Sequence, residues 1–100
     1  MKNLHRAALD ALGDANRRAI VEMLGRGERS VGQIADGLDI SRPAVSRHLR
    51  LLDEAGLVEA RSKGTRSVYA VRVEGFASVR AFVDEFWDAA LARLQALAKR

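Results

Sequence analysis

Cysteine is absent from the chain, and proline occurs once, at Pro43. The absence of cysteine excludes disulfide bonds, thiolate metal sites, cysteine nucleophiles and thiol redox switches. No apolar run approaches the roughly 18 residues of a membrane span, and the first residues, Met1-Lys2-Asn3-Leu4-His5-Arg6, lack the apolar core of a secretory signal. We therefore expect a cytoplasmic protein that forms one domain over residues 1–100 and has no membrane partner.

The sequence also lacks the residue sets of an enzyme active site. It contains no recognisable nucleophile with its base, no metal-binding set and no phosphate-binding loop, and Gly25-Arg26-Gly27 is interpreted as a helix terminator. We therefore expect neither catalysis nor a cofactor. Apolar residues make up 48% of the chain and charged residues 30%, which is the balance of a soluble globular domain.

The net charge of +4 is concentrated in the middle of the chain. Residues 41–72 carry seven basic and three acidic side chains, whereas residues 1–40 and 73–100 each carry equal numbers of both. A basic excess permits binding to nucleic acid or to an anionic membrane. Its location marks the segment in which a polyanion site is expected.

Helical spacing predicts two helices in the first quarter of the chain. The apolar stripe of the first helix stops at Gly13, and Asp14 is predicted to cap the second helix. Gly25 and Gly27 are predicted to end that second helix. The stripes comprise Leu4, Ala8, Leu9 and Leu12 in the first helix and Ala15, Ala19, Ile20, Met23 and Leu24 in the second.

Two further helices, joined by a tight connection, are predicted between residues 30 and 56. Ser30 and Gln33 have the spacing of a capping box, which predicts the start of a short third helix. Ser41 is predicted to cap a fourth helix that has Pro43 in its first turn and stops at Gly56. Adjacent helices of this kind predict a helix-turn-helix.

The remaining segments predict a hairpin and a long last helix. From Leu57 to Arg72 the apolar period changes to two about the turn Lys63-Gly64-Thr65, which is typical of a β-hairpin. The predicted fold is mainly α with a β-hairpin wing, in the order α-α-α-α-β-β-α, that is, a winged helix-turn-helix. The last helix has an apolar stripe too wide for a lone surface helix, made of Phe76, Val79, Val83, Phe86, Ala90, Leu94 and Leu97 and widened by Phe82, Trp87 and Leu91.

The fourth helix has the polarity needed to enter the DNA major groove. Its polar half carries Arg42, Ser46 and Arg47 in the first two turns, while Asp53 and Glu54 lie in the last turn. Arginine pairs with guanine O6 and N7, so Arg42 and Arg47 are expected to read bases. The full set of predicted DNA contacts is Ser41, Arg42, Pro43, Ser46, Arg47, His48, Arg50, Arg61, Lys63, Thr65 and Arg66.

Some of these contacts have alternative interpretations. Arg50 is equally well explained by intrahelical ion pairs with Asp53 and Glu54. His48 lies toward the buried half of the helical wheel, where a packed structural role is favoured over a phosphate contact. The basic residues near the hairpin tip are interpreted as contacts to the DNA backbone or minor groove, although basic turns are also common on ordinary surfaces.

The sequence resembles the ArsR/SmtB family of winged-helix repressors over about residues 9–98. The resemblance is carried by "LGDANRRAIVEML", by "SRPAVSRHLRLLDEAGLV" followed by "GTRSVY", and by the closing aromatic-leucine helix. It implies a homodimer that pairs through its first and last helices, occupies a palindromic operator in double-stranded DNA and represses transcription.

Aromatic residues concentrated in one terminal helix favour the same homodimer, because they form more apolar surface than a small monomer readily buries. Burial within the monomer is the alternative. The expected dimer interface comprises Leu4, Leu9, Phe76, Val79, Phe82, Val83, Phe86, Trp87, Ala90, Leu91 and Leu94.

The chain departs from the pattern of the metal-sensing members of the family that it resembles. The third helix has no cysteine, and the last helix offers Asp84, Glu85 and Asp88 without a histidine, since the two histidines are His5 and His48. Carboxylates without imidazole are more often a solvated face than a transition-metal site. We therefore expect no metal site, and the identity of any small-molecule effector stays open.

Two other functions are considered. A winged helix used only for protein contacts is the main alternative, but it predicts a recognition helix without basic residues. A membrane-binding amphipathic helix is less favoured, because the basic excess is divided between a helix and a hairpin. DNA binding is the function that the sequence favours.

Overall fold

The computed structural model describes the backbone of residues 2–99 and the side chains of residues 6–99, so the side chain of Leu4 lies outside the described residues. The chain folds in the predicted order of four helices, a hairpin and a last helix. The elements are α1 (Lys2–Ala11), α2 (Ala15–Gly25), α3 (Val31–Leu38), α4 (Arg42–Glu54), β1 (Val58–Lys63), β2 (Arg66–Val71), a short 3-10 turn (Val73–Phe76) and α5 (Ala77–Ala98).

The predicted helix caps are confirmed. The Asp14 carboxylate accepts hydrogen bonds from the backbone N–H groups of Asn16 at 2.8 Å and Arg17 at 3.1 Å. Ser30 and Gln33 form the reciprocal capping box, with side chain to backbone distances of 3.2 Å and 2.9 Å. Local side chains therefore fix the starts of α2 and α3 by satisfying N–H groups that lack a partner within the helix.

The core lies where α2, α3 and α4 meet the base of the hairpin. Its largest fully buried side chains are contributed by all of these elements and by the residue between α4 and β1. The helices bury one apolar stripe each, as their spacing predicts. These core side chains include Ile20, Ile34, Val45, Leu49, Leu52, Leu57 and Val58.

Strands β1 and β2 form an antiparallel hairpin, the wing, with a register from Val58 opposite Val71 to Lys63 opposite Arg66. The two-residue turn contains Gly64, whose φ of +62° suits a hairpin turn that glycine adopts without steric cost. Residues 60–67, which form the outer part of the wing, are all exposed.

The base of the wing is joined to the connection between α2 and α3. The backbone of Arg29 pairs with that of Tyr69 in β2, through N–H to O distances of 3.1 Å and 2.8 Å. This short bridge fixes the α2–α3 connection beside the wing.

Helix α5 leaves the core and extends the molecule to 63 × 26 × 21 Å. Its first part packs with α1, and Phe76 and Val79 contact the core. From residue 80 to residue 99 every side chain is exposed, including the apolar ones. Beyond Val79, the wide apolar stripe that the sequence predicts is therefore uncovered in the single chain.

Candidate nucleic-acid interface

The start of α4 is built by its cap. Ser41 is extended, with φ −70° and ψ 152°, and its hydroxyl oxygen accepts a hydrogen bond from the backbone N–H of Ala44 at 3.2 Å. Pro43 sits in the first turn, where an N–H has no partner within the helix. Ser41 is exposed, so its hydroxyl group stays accessible to solvent while its oxygen caps the helix.

Helix α4 presents its polar residues to solvent and its apolar residues to the core. Val45, Leu49 and Leu52 are buried, whereas the side predicted to meet DNA is exposed. Leu51 departs from the prediction of a buried half: it is 45% exposed because it lines an open cleft of about 250 Å³ between α1 and α4. On the side predicted to meet DNA the exposed residues are Arg42, Pro43, Ser46, Arg47 and Arg50, and Asp53 and Glu54 are exposed in the last turn.

The guanidinium group of Arg42 packs over Gly32 in the first turn of α3. A Cβ added to Gly32 would lie 2.8 Å from Nη2 of Arg42 and 3.1 Å from its Cζ. This contact joins two helices across the turn, so no local spacing in the sequence predicts it. The first arginine of α4 therefore rests on the neighbouring helix, while its side chain as a whole remains exposed.

Arg50 and His48 have different surroundings on α4. Among the described residues, Arg50 forms no ion pair with Asp53 or Glu54, so its exposed guanidinium is not held within the helix. His48 is half-buried, and its Nδ1 atom is buried without a hydrogen-bond partner in the described part of the chain. The histidine is therefore packed on one side, but its Nδ1 atom does not make the hydrogen bond expected of a packed histidine within the described residues.

Asp14, which caps the start of α2, lies near His48 of α4. The pKa of its carboxyl is lowered, first by the hydrogen bond from the backbone N–H of Arg17, then by that of Asn16, and to a smaller extent by the electrostatic influence of His48 and Arg17. The cap of α2 and the inner side of the recognition helix are thus electrostatic neighbours.

Two basic residues of the wing, Arg61 and Lys63, belong to a continuous run of alternating charges, which we call the wing ion-pair chain: Lys63, Glu28, Arg61, Glu59, Arg72 and Glu74. Lys63 Nζ pairs with Glu28 Oε1. Nitrogen to oxygen distances then run 3.9 Å for Arg61 to Glu28, 2.8 Å for Arg61 to Glu59, 3.8 Å for Arg72 to Glu59 and 3.2 Å for Arg72 to Glu74. Three cations and three carboxylates therefore balance along the wing.

Two carboxylates of the wing ion-pair chain, Glu28 and Glu74, have lowered pKa values. The pKa of Glu28 is lowered, chiefly by the hydrogen bond from Lys63. The pKa of Glu74 is also lowered, first by its own backbone N–H and then by Arg72. Sequence analysis missed Glu28, because its partners lie more than thirty positions away along the chain and no local spacing connects them.

At the wing tip, Thr65 and Arg66 are exposed. Among the described residues Arg66 makes no ion pair, in contrast to Arg61 and Lys63. The predicted basic wing is thus reduced to one unneutralised cation at its tip, and Arg47 and Arg50 on α4 are likewise unpaired within residues 6–99.

The residues expected at a dimer interface fall into two groups. Phe76, Val79 and the half-buried Leu9 lie near the body of the same chain. The others are exposed along α5, where Phe86 is 66%, Trp87 62% and Leu94 63% exposed. An open depression of about 490 Å³ follows this face. The second group comprises Phe82, Val83, Phe86, Trp87, Ala90, Leu91 and Leu94.

The described residues contain neither a candidate metal cluster nor a candidate membrane span. No group of three or more histidine, aspartate or glutamate side chains there is arranged to hold a metal ion. None of the helices in the same part of the chain combines the length and apolar character that crossing a bilayer requires.

A helix-turn-helix whose second helix exposes arginines beside a two-stranded wing defines a winged helix-turn-helix protein. Residues 12–61 match a family model described as a helix-turn-helix domain. The chain is 50% identical over 84 residues to the HTH-type transcriptional regulator Rv2034 of Mycobacterium tuberculosis, covering 84% of this chain and 78% of that protein. It is 35% identical over 89 residues to the arsenical resistance operon repressor of Escherichia coli, covering 88% and 76%.

A solved structure extends the comparison. The solution structure of a homodimeric winged helix-turn-helix DNA-binding domain from Mycobacterium bovis, a possible ArsR-family regulator, matches with a TM-score of 0.70 and 34% identity, covering 86% of this chain and 80% of that one. The chain belongs to the ArsR family of winged helix-turn-helix transcriptional regulators, which are DNA-binding proteins and not enzymes. These relatives do not favour the alternative of a module used only for protein contacts.

Proposed function

We propose that the chain acts as a homodimeric repressor that binds a pseudo-palindromic operator in double-stranded DNA. The observation that carries the proposal is the exposed arginine side of α4, in which Arg47 and Arg50 have no ion-pair partner among the described residues. The names of the Escherichia coli repressor and the homodimeric Mycobacterium bovis domain support the same interpretation.

Helix α5 supplies the dimer contact, together with α1. Large apolar side chains that are about two-thirds exposed, such as Phe86 and Leu94, lose water contact when a second copy covers them, and this burial favours association. A two-fold dimer then presents two α4 helices about 34 Å apart, one turn of DNA. The operator is therefore expected to consist of two inverted half-sites.

Within each half-site Arg47 is the principal base-reading residue. Its guanidinium is exposed on the second turn of α4 and can pair with guanine O6 and N7. Arg42 is the second base-reading residue, and it has to leave Gly32 to reach a base. Ser41 and Ser46 donate hydrogen bonds to phosphates or bases, and Arg50, Arg61, Lys63, Thr65 and Arg66 contact the DNA backbone. Pro43 packs beside the DNA backbone without donating a hydrogen bond, and for His48 the packed role is favoured over a phosphate contact.

The test starts with selection of an operator from random duplexes, followed by fluorescence anisotropy with that operator and a scrambled duplex. Arg47→Ala is expected to weaken operator binding by about 1–3 kcal/mol while leaving scrambled DNA less affected. Arg26→Ala, which removes an exposed arginine at the end of α2, is the control for net charge. Undiminished discrimination in Arg47→Ala would refute the assignment of this residue, and an absence of duplex binding by the wild type would refute the proposed function.

A further inference from the structure

Glu28 differs from the other carboxylates of the wing ion-pair chain. It lies in the connection between α2 and α3, outside the wing, and pairs with both Lys63 and Arg61. Its side chain is 25% exposed, against 38% for Glu59 and 69% for Glu74. It is therefore the most enclosed anion of the chain and the one that joins the wing to the body of the protein.

The position of Glu28 is fixed by the backbone beside it. Arg29, the next residue, exchanges two backbone hydrogen bonds with Tyr69 of β2. Lys63 holds the pKa of the Glu28 carboxyl below its usual range, so the carboxylate stays charged when the wing is free. A stationary anion thus faces two cations that the proposed function assigns to DNA phosphates.

We propose that Glu28 competes with DNA phosphate for Lys63 and Arg61 and thereby limits the affinity of the repressor for DNA. The inference rests on the proposed function, in which the wing contacts the duplex. Carboxylate and phosphate oxygens accept hydrogen bonds from the same ammonium and guanidinium groups. To bind phosphate, Lys63 or Arg61 must therefore either release the Glu28 carboxylate or bind the carboxylate and the phosphate together. In both cases the net electrostatic contribution of the phosphate contact falls.

The salt dependence of binding measures this competition. Each phosphate contact steepens the log–log salt dependence of the binding constant by about 0.9. Glu28→Gln keeps the shape of the side chain and removes its charge. Each wing cation released by this substitution is expected to steepen the salt dependence by a fraction of the value for one phosphate contact. A variant that gains one whole phosphate contact is expected to lose about 3.5-fold more affinity than the wild type when the salt concentration is raised from 50 to 200 mM.

The experiment compares the full chain with Glu28→Gln and with Glu22→Gln by anisotropy on operator and scrambled duplexes. Glu22 is an exposed carboxylate on α2 that forms no ion pair within the described residues, so its variant reports the effect of net charge alone. Glu28→Gln is expected to bind both duplexes more tightly than Glu22→Gln does, with a steeper salt dependence. In a background that carries Arg61→Gln and Lys63→Gln, this additional affinity is expected to disappear.

Three results would overturn the inference. Equal effects of Glu28→Gln and Glu22→Gln would assign the gain to net charge, and a gain that persists in the Arg61→Gln, Lys63→Gln background would show that Glu28 does not act through these cations. Weaker binding by Glu28→Gln would make Glu28 a residue that positions the wing. Failure of the wild type to bind any duplex would instead refute the proposed function itself, so the two failures are distinguishable.

Discussion

Gly75 lies directly against the backbone of Gly56. A Cβ added to Gly75 would stand 1.8 Å from the carbonyl oxygen of Gly56 and 2.8 Å from its carbonyl carbon. The contact joins the 3-10 turn that precedes α5 to the connection between α4 and β1. Because a backbone carbonyl cannot rotate away as a flexible side chain does, this contact sets the point at which α5 leaves the core.

Gly75→Ala is therefore expected to destabilise the protein by about 1–3 kcal/mol, the usual cost of overpacking. The free energy of unfolding is measured by urea titration followed by circular dichroism. Gly25→Ala is the matched control, since a Cβ at Gly25 in the last turn of α2 would meet no atom within 4 Å. An equal stability of the Gly75→Ala and Gly25→Ala variants would show that the contact with Gly56 relaxes without cost.

The helix starts could be predicted because their causes are local. The side chains of Asp14, Ser30 and Ser41 each accept a hydrogen bond from a backbone N–H two or three positions further along the chain. Contacts over so short a separation can be predicted from the residue types and their spacing in the sequence. The polarity of α4 and the wide apolar stripe of α5 are also properties of one segment each. These features sufficed to predict the fold and the surface expected to meet DNA.

The contacts that refine the candidate site are not local, and the sequence could not reveal them. Lys63 meets Glu28 only because the wing folds beside the α2–α3 connection, and Arg42 reaches Gly32 only because α3 and α4 cross. The net charge of the middle segment therefore overstated the free charge of the wing. Its neutralising partners include Glu28 and Glu74, which lie outside that segment.

Phe86→Glu is expected to dissociate the proposed dimer. Phe86 is 66% exposed in the single chain, and a carboxylate at this position would be desolvated against apolar side chains of a second copy. The dimer dissociation constant should rise by about 30-fold or more, the loss typical of a central interface residue. Sedimentation velocity over a concentration series measures it.

The control for this substitution is Asn16→Glu, which places the same charge on an exposed position in the first turn of α2. It is expected to leave the dissociation constant unchanged. If Phe86→Glu sediments as the wild type does at every concentration, the exposed face of α5 does not form the dimer contact.

Asp14 predicts a pH dependence of stability with a defined sign. Its pKa in the folded chain lies below its usual value of 3.8, so its carboxylate stabilises the folded state above pH 3.8, and this contribution is lost as the pH falls through the folded pKa. Asp14→Ala should therefore lower the melting temperature at neutral pH. The difference from the wild type should diminish in the acid range below pH 3.8.

Thermal melts from neutral pH into the acid range measure this difference. Asp36→Ala, at an exposed position of α3, removes a carboxylate that does not cap a helix among the described residues and serves as the control. A difference between wild type and Asp14→Ala that stays constant from neutral pH to the acid range would show that the charge of the carboxylate does not contribute to the cap.

The two cations next to the wing turn are expected to contribute unequally to DNA binding. Lys63 and Arg66 face each other across the hairpin, but Lys63 is paired with Glu28 whereas Arg66 has no ion pair among the described residues. Arg66→Ala should therefore lower the log–log salt slope by about 0.9, and Lys63→Ala should lower it by less. Both variants should weaken the binding of operator and scrambled duplexes to the same degree, because phosphate contacts carry no base information.

Anisotropy titrations over a series of salt concentrations measure the slopes, with Arg26→Ala as the control. A slope change for Lys63→Ala that equals or exceeds that for Arg66→Ala would mean that Glu28 does not weaken the contact of Lys63 with phosphate, and unequal losses on the two duplexes would mean that the wing reads sequence.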